Sequence, residues 1–372
     1  MKIGFDAKRL FWNQTGLGNY SRNLVQGVCM QFPQHSYVLY TPRVQTNEHT
    51  HYFLDRCSVV QAPYAFASSL WRSFGLVKNL EKQNIDIYHG LSHELPFGIA
   101  KSKVKSVVTI HDFAFKFFSD DFPLFDRSVY NIKWRYACNH ADAIVATSEA
   151  TKADIIRYFR IPESKIHVIY QSCDARFSIQ KTEEEKQVVR STYHLPDTYI
   201  LYVGSITARK NIRSLLRAYE LCMHQINMPL VLCGNGSKYK KEIETEIIAR
   251  NLQEHVLVRD SVAVHDLPAL YQAARVSVYP SLYEGFGIPV LEAIKSGTPV
   301  ITSIVSCLPE VGGNVAIYCN PYSVESIAEA LVESMSSEYH SSDFSRKLQE
   351  HAAQFSHEAF VEKNMSMYQN LI

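Results

Sequence analysis

The chain reads as an α/β protein made of two Rossmann-like, doubly wound domains. Three observations lead there. Apolar, strand-like runs alternate with helical stretches throughout, as in parallel α/β sheets. The alternation starts afresh near residue 199, after a charged segment. Around residues 280–301, P-S-L-Y-E-G-F-G-I-P-V-L-E-A-I-K-S-G-T-P-V-I, the chain spells strand, glycine turn, helix and strand. Its 372 residues also favour two domains over one.

In the first half, strands are predicted at 2–6, 37–40, 85–89, 107–111, 143–147 and 166–169, with helices such as 19–30 and 127–141 between them. The segment 179–196 contains K-T-E-E-E-K and is weakly apolar, which suggests a linker. The expected division is therefore 1–178, a linker at 179–196, a second domain at 197–355 and a tail at 356–372. Second-half strands are predicted at 199–204, 230–233, 255–258, 275–279 and 299–302, with a helix at 212–219. Pro289 suits a first helical turn, where its missing N–H has no partner to lose. Gly297 suits that helix's stop.

Thirty-eight basic and 37 acidic residues nearly cancel, so no nucleic-acid partner is expected. No stretch reads as a signal peptide or a membrane span, and a cytoplasmic place is expected. The eight cysteines are scattered without a C-x-x-C and read as reduced thiols. No D-x-D is present, and neither a metal nor a cofactor is expected.

Glu284 and Glu292 flank the Gly285-Phe286-Gly287 turn. The glycines let backbone approach a ligand, and the helix N-terminus behind them attracts phosphate or sugar oxygens. Arg209 and Lys210 fall at a strand-to-helix junction, where a planar fork and a point charge can hold a diphosphate. Taken alone, each feature is an ordinary βα connection or a solvated loop. Gly16-Leu17-Gly18 with Ser21 comes close to a dinucleotide fingerprint. It lies too far from strand 2–6, however, and no acidic ribose ligand follows, so a nicotinamide oxidoreductase is not favoured. His89 and His93 have the i, i+4 spacing of a zinc pair on a helix, but Gly90 argues for a loop.

The 280–301 run resembles the signature of the retaining group 1 (family 4) glycosyltransferases. Their fold is GT-B, two Rossmann-like domains facing across a cleft. The likeness continues in S-C-L-P-E-V at 306–311, and in Y-V-G-S at 202–205 with R-K-N at 209–211. D-A-K-R-L at 6–10 with T-G-L-G-N-Y at 15–20 is similar to mannosyltransferase-like members.

The resemblance implies a catalytic set of Glu284, His111, Arg209 and Lys210. Glu284 would stand beside the transferred sugar, with His111 across the cleft touching it by backbone or ring. Arg209 and Lys210 would hold the diphosphate of the donor, next to Gly204. Glu292 would bind the ribose hydroxyls. The backbone of Gly285, Phe286 and Gly287 would meet sugar or phosphate. Gly16 and Gly18 would close over phosphates and acceptor. Gly234 and Gly236 would lie near the nucleoside, and 259–262, including Ser261, would line the base. The tail 356–372 would return as a helix to the first domain.

The partners so implied are a nucleotide-diphosphate sugar donor and a glycan or lipid-linked acceptor in surface polysaccharide assembly. GDP-mannose is the expected donor, with UDP-sugars as the alternative. Transfer would be retaining and metal-independent. A non-catalytic sugar-nucleotide-binding protein is the alternative of another class. The aromatic stretch 113–136, with interspersed Lys and Arg, reads as buried packing or as a peripheral contact at the inner face of the membrane.

Overall fold

The computed structural model describes residues 1–63, 68–118, 122–236, 238–260 and 262–372. The chain divides into two compact units, Met1–Gln171 with His357–Ile372, and Ser172–Ser356.

Among the described residues, the first unit holds an all-parallel sheet of seven strands in the order β3-β2-β1-β4-β5-β6-β7. The strands are β1 Lys2–Asp6, β2 Ser36–Thr41, β3 Ser58–Gln61, β4 Ile87–Gly90, β5 Lys105–Ile110, β6 Ala143–Ala146 and β7 Ile166–Val168. The second unit's sheet has six parallel strands, β10-β9-β8-β11-β12-β13. These are β8 Ile200–Val203, β9 Leu230–Cys233, β10 Val256–Arg259, β11 Val276–Tyr279, β12 Val300–Ser303 and β13 Ile317–Cys319. Central strands such as β9 and β12 are buried along their whole length, because helices cover both faces of a parallel sheet.

Strand order reverses direction once in each unit, at β1/β4 and at β8/β11. At such points the loops leaving two adjacent strands diverge and open a crevice at the carboxyl edge of the sheet, where open α/β sheets take their ligands.

The stretch 179–196, read from sequence as a linker, is part of the second unit. It carries the helix Glu183–Thr192, which starts with a reciprocal capping box between Thr182 and Glu185. Val189 is buried beneath it. The Gln272 side chain ties the approach down, accepting from Lys181 N (2.8 Å) and donating to the Ile179 carbonyl (2.9 Å).

The helix His357–Gln369 belongs to the first unit. Its Phe360, Val361, Met365 and Tyr368 join Ile3, Phe5, Leu24 and Val25 in one apolar core. It lies close against the helix Gly16–Gln31: a Cβ on Gly27 would sit 2.2 Å from Val361 Cγ2. A buried polar chain fastens it further. The Tyr368 hydroxyl lies 2.6 Å from His89 Nδ1, His89 Nε2 lies 2.8 Å from Thr109 Oγ1, and Thr109 Oγ1 lies 2.9 Å from the Tyr20 hydroxyl. Burial, with His111 adding to it, pushes His89 down to about 3, so the ring is neutral. Gly27→Ala is expected to destabilise the protein by roughly 1–3 kcal/mol through overpacking. Thermal unfolding with unchanged Tm would count against that close approach.

Candidate functional site

The β8/β11 reversal gathers the charged residues of the second unit. Beyond β8, the chain turns at Gly204, whose N–H donates to the Cys233 carbonyl (2.9 Å). A short 3-10 turn, Ala208–Lys210, then presents Arg209 and Lys210. Asn211 is left-handed (φ 63°), and its side-chain amide donates to the carbonyls of Pro280 (3.2 Å) and Pro321 (2.7 Å). Those bonds lock the turn to the loop leaving β11. Leu282 N–H adds a bond to the Arg209 carbonyl (2.9 Å).

That second loop carries Glu284. Lys210 Nζ lies 2.5 Å from one of its carboxylate oxygens, and Arg209 Nη1 lies 2.8 Å from the other. Arg209 Nη1 also donates to the Tyr283 carbonyl (2.7 Å). Lys210 Nζ bonds the Tyr279 hydroxyl as well, and lies 4.8 Å from that ring's centroid. Lys210 is 6 % exposed and Glu284 8 %. Burial opposes the Glu284 charge, but Arg209 and Lys210 outweigh it and hold the carboxyl down at about 2. The Glu284 backbone is braced in turn: its carbonyl accepts from Ser306 Oγ (2.5 Å) and Cys307 Sγ (3.2 Å). Two cations thus face one carboxylate, a setting into which phosphate oxygens fit.

Gly287 (φ 101°) forms the N-cap of helix Ile288–Lys295, a conformation that a residue with a side chain adopts at a cost. The Phe286 ring is buried against Phe355 (centroids 6.0 Å apart), so only its backbone can meet a ligand. In the second helical turn, Glu292 accepts from the Tyr271 hydroxyl (3.1 Å). Burial pushes Glu292 up to about 8, against the Tyr271 bond that favours its charged form, and Asp174 adds to the rise. The glycine turns after β8 and β9 abut. A Cβ on Gly234 would lie 1.8 Å from the Gly204 carbonyl oxygen, and one on Gly236 2.6 Å from that of Ile206.

Ser261 lies outside the described residues. Arg259, expected near a base, donates to the carbonyls of Tyr193 (2.6 Å) and His194 (2.9 Å) and pins the end of helix Glu183–Thr192. In the first unit, Gly16 and Gly18 form the first turn of helix Gly16–Gln31 and not a loop. A Cβ on Gly18 would lie 1.7 Å from the Asn13 carbonyl oxygen, while Gly16 faces open space. His111 follows β5 and is 6 % exposed. Its carbonyl already accepts from Thr147 (2.9 Å) and Thr151 (3.3 Å), and Nε2 lies 2.9 Å from the Leu91 carbonyl. Burial pushes His111 down to about 4, so the ring is neutral with its proton on Nε2. His89 and His93 do not converge on a metal: His89 serves the polar chain, and His93 stacks on Trp134 at 3.8 Å. Among the described residues, no group of three or more His, Cys, Asp or Glu is placed to hold a metal ion.

Sequence reasoning missed Tyr279 and Tyr271, the hydroxyl partners of Lys210 and Glu292. It also missed an ion network at the β1/β4 reversal. There Arg72 pairs with Asp6 (2.9 Å) and Glu94 (2.8 Å), and Lys133 reaches Glu94 (3.2 Å). No local motif signals it, because Arg72 comes from a helical segment far along the chain. In the aromatic stretch, Phe113, Phe115 and Trp134 are buried, while Leu124, Phe125 and Ile132 are exposed on helix Leu124–His140. Among the described residues, no helix is long and apolar enough to cross a membrane.

Comparison with known proteins bears on family and fold. Residues 180–355 match the family described as Glycosyl transferases group 1, and residues 15–177 match Glycosyltransferase Family 4. O-antigen chain mannosyltransferase B of Escherichia coli is 30% identical over 356 residues, covering 90% of this chain and 91% of that protein. O-antigen chain mannosyltransferase RfbU of Salmonella typhimurium is 29% identical over 214 residues, 58% of this chain and 56% of the relative. Among solved structures, Anabaena Alr3699/HepE in complex with UDP and glucose aligns over 100% of both chains, with a TM-score of 0.78 at 16% identity. This likeness shows the fold, GT-B.

Proposed function

This chain belongs to the group 1 (family 4) glycosyltransferases, and from that premise we propose that it transfers mannose from GDP-mannose to a hydroxyl of a glycan or lipid-linked saccharide in surface polysaccharide assembly, with retention at the anomeric carbon. The observation that carries the transferase chemistry is the Arg209–Lys210–Glu284 cluster at the β8/β11 reversal. Mannose rests on the relatives, whose names describe O-antigen mannosyltransferases, and guanosine on the resemblance of the sequence to mannosyltransferase-like members.

In the proposed reaction the bond from the anomeric carbon to the donor's phosphate oxygen breaks. A bond to the acceptor oxygen forms on the same face, and the acceptor's proton passes to the departing diphosphate. Arg209 and Lys210 act where negative charge grows, so they favour the transition state over the bound donor. Gly204 and the backbone of Gly285, Phe286 and Gly287 line the phosphate and sugar side. Gly234 and Gly236 lie on the nucleoside side, and Glu284 stands beside the sugar. His111 is proposed as a sugar contact through Nδ1 of its neutral ring, since its carbonyl and Nε2 are engaged. Gly16 and Gly18 are proposed to serve the phosphates through backbone alone.

The test is transfer from GDP-mannose and from UDP-glucose, UDP-galactose and UDP-N-acetylglucosamine, each with and without EDTA, with the product anomer read by NMR. An α-mannoside unaffected by EDTA is expected. Turnover of a UDP-sugar alone would replace the donor, and a β-product would overturn retention. No transfer or donor hydrolysis, with nucleotide bound, would leave a binding protein.

Glu292 is proposed to take the two ribose hydroxyls, a task for the carboxylate. Because its folded-state value is about 8, nucleotide affinity is expected to fall as pH drops from 9 to 6. Glu292→Gln should bind weakly and without that pH dependence in calorimetry. The same shift acts on the free protein. The folded state holds a proton that the unfolded chain releases near 4.5, so this contribution to stability is full below 4.5 and lost as pH rises through about 8. The Tm difference between wild type and Glu292→Gln should therefore move in the variant's favour over that window.

For the membrane, the proposal is that exposed Leu124, Phe125 and Ile132, beside Lys116 and Arg135, touch an anionic surface. Sedimentation with anionic liposomes at low salt tests it, and an empty lipid pellet would dismiss it.

A further inference from the structure

The eight cysteines are scattered in sequence, yet the first unit brings Cys29 and Cys57 together, with Sγ atoms 3.5 Å apart. Cys29 lies near the end of helix Gly16–Gln31. Cys57 caps helix His51–Arg56 and leads directly into β3, the outermost strand of its sheet. The other six cysteines are buried. Cys57 is 8 % exposed, and Cys29 is the more open of the two.

The pair is asymmetric. Cys29 is held below the usual thiol value by the hydrogen bond from Cys57, against burial, with Arg56 helping. Cys57 is pushed up by that same bond and by burial. The phenols of Tyr37 and Tyr52 and the guanidinium of Arg56 act on the pair. The more acidic and more exposed thiol thus stands next to a sheltered second one, the arrangement of a nucleophile and its resolving partner. Closing 3.5 Å to a disulfide needs a movement of about 1.5 Å, within reach of side-chain rotation.

We propose that Cys29 and Cys57 form an oxidisable dithiol whose disulfide fastens the edge strand β3 to helix Gly16–Gln31. The oxidant is a small disulfide. Cys29 thiolate attacks one of its sulfurs, forming a mixed disulfide and releasing one small thiolate. Cys57 then loses its proton to solvent and attacks the Cys29 sulfur, releasing the second. The two protein thiols are oxidised by two electrons, and the small disulfide is reduced to two thiols. Nothing in this reading depends on the transferase assignment.

The experiment treats the full chain with oxidised glutathione, quenches with acid, and alkylates under denaturing conditions before intact-mass and peptide analysis. Six alkylated cysteines are expected in place of eight, with a Cys29–Cys57 cross-linked peptide that dithiothreitol removes. Cys57→Ser should retain glutathione on Cys29, whereas Cys29→Ser should give neither adduct nor cross-link. Eight alkylated cysteines, a lasting glutathione adduct on wild-type Cys29, or a cross-link through another pair would overturn the proposal. Oxidised wild type should also unfold at a higher temperature than the reduced protein, a rise absent in Cys29→Ser. An unchanged Tm in the cross-linked protein would overturn the fastening. If Cys57→Ser fails to fold, the peptide map of the unaltered chain still decides.

Discussion

Lys210→Met is expected to lower kcat by about 10²- to 10³-fold, the usual cost of removing one group that stabilises developing charge. Methionine keeps most of the buried volume around Tyr279 and removes the ammonium with its bonds to Glu284 and Tyr279. The fold should survive, because Glu284 keeps its 2.8 Å pairing with Arg209. Arg209→Lys should also be costly, since a shorter side chain ending in a point charge lacks the planar fork that suits a diphosphate. Steady-state kinetics beside thermal unfolding checks both. A Lys210→Met enzyme with wild-type Tm and a kcat within threefold, on the order of 0.6 kcal/mol, would remove Lys210 from the chemistry.

Glu284→Gln should reveal a second property of the same cluster. A buried ammonium and a half-buried guanidinium would then face a neutral amide, and losing the partner of a buried pair costs roughly 3–5 kcal/mol. The free variant is therefore expected to unfold several degrees lower than wild type. GDP or inorganic pyrophosphate supplies negative charge where the carboxylate was, so it should raise the variant's Tm more than the wild type's. The sign with pH follows from the depressed carboxyl: its contribution is present above the ordinary value of 4.5 and lost as pH falls through about 2. The Tm gap between the two proteins should therefore narrow in acid. In turnover the division of labour is testable too. Glu284→Gln should cut kcat more than nucleotide affinity, and Glu292→Gln the reverse. Equal effects on affinity would end that division.

Much of this fold can be read from sequence for a simple physical reason. Strands covered on both faces, such as β1, β8, β9 and β12, must be continuous apolar runs, and such runs stand out. The short edge strands β3 and β13 escaped notice. Edge strands pair along one side only: Ser58–Gln61 is exposed or half-buried throughout, and the mostly buried Ile317–Cys319 is just three residues long. The misread linker is instructive because its signal was present. Thr182 and Glu185 are a T-x-x-E capping box, but the charged run around them drew attention to solvation and away from helix initiation.

At the site, Arg209, Lys210, Glu284 and Glu292 were legible because the short runs that hold them, 209–211 and 280–301, resemble a family signature. What was not legible depends on register between strands. The Lys210–Tyr279 contact exists because β8 and β11 are neighbours, with Ser277 opposite Leu201, a pairing that no local pattern specifies. The setting of Glu292, where burial raises it, Tyr271 opposes and Asp174 adds, likewise depends on segments brought together only by the fold.

The tail helix bears on how the protein is made. The ribosome adds residues in order, so every residue of the second unit, through Ser356, is synthesised before those that finish the first. The first unit is begun first and completed last. Until Phe360, Val361, Met365 and Tyr368 are supplied, its nascent form presents an open apolar surface around Ile3, Phe5, Leu24 and Val25. Such surface invites association during synthesis. A premature stop shortly before His357 would spare the Arg209–Lys210–Glu284 cluster and still yield a chain that chaperones and proteases recognise as unfinished.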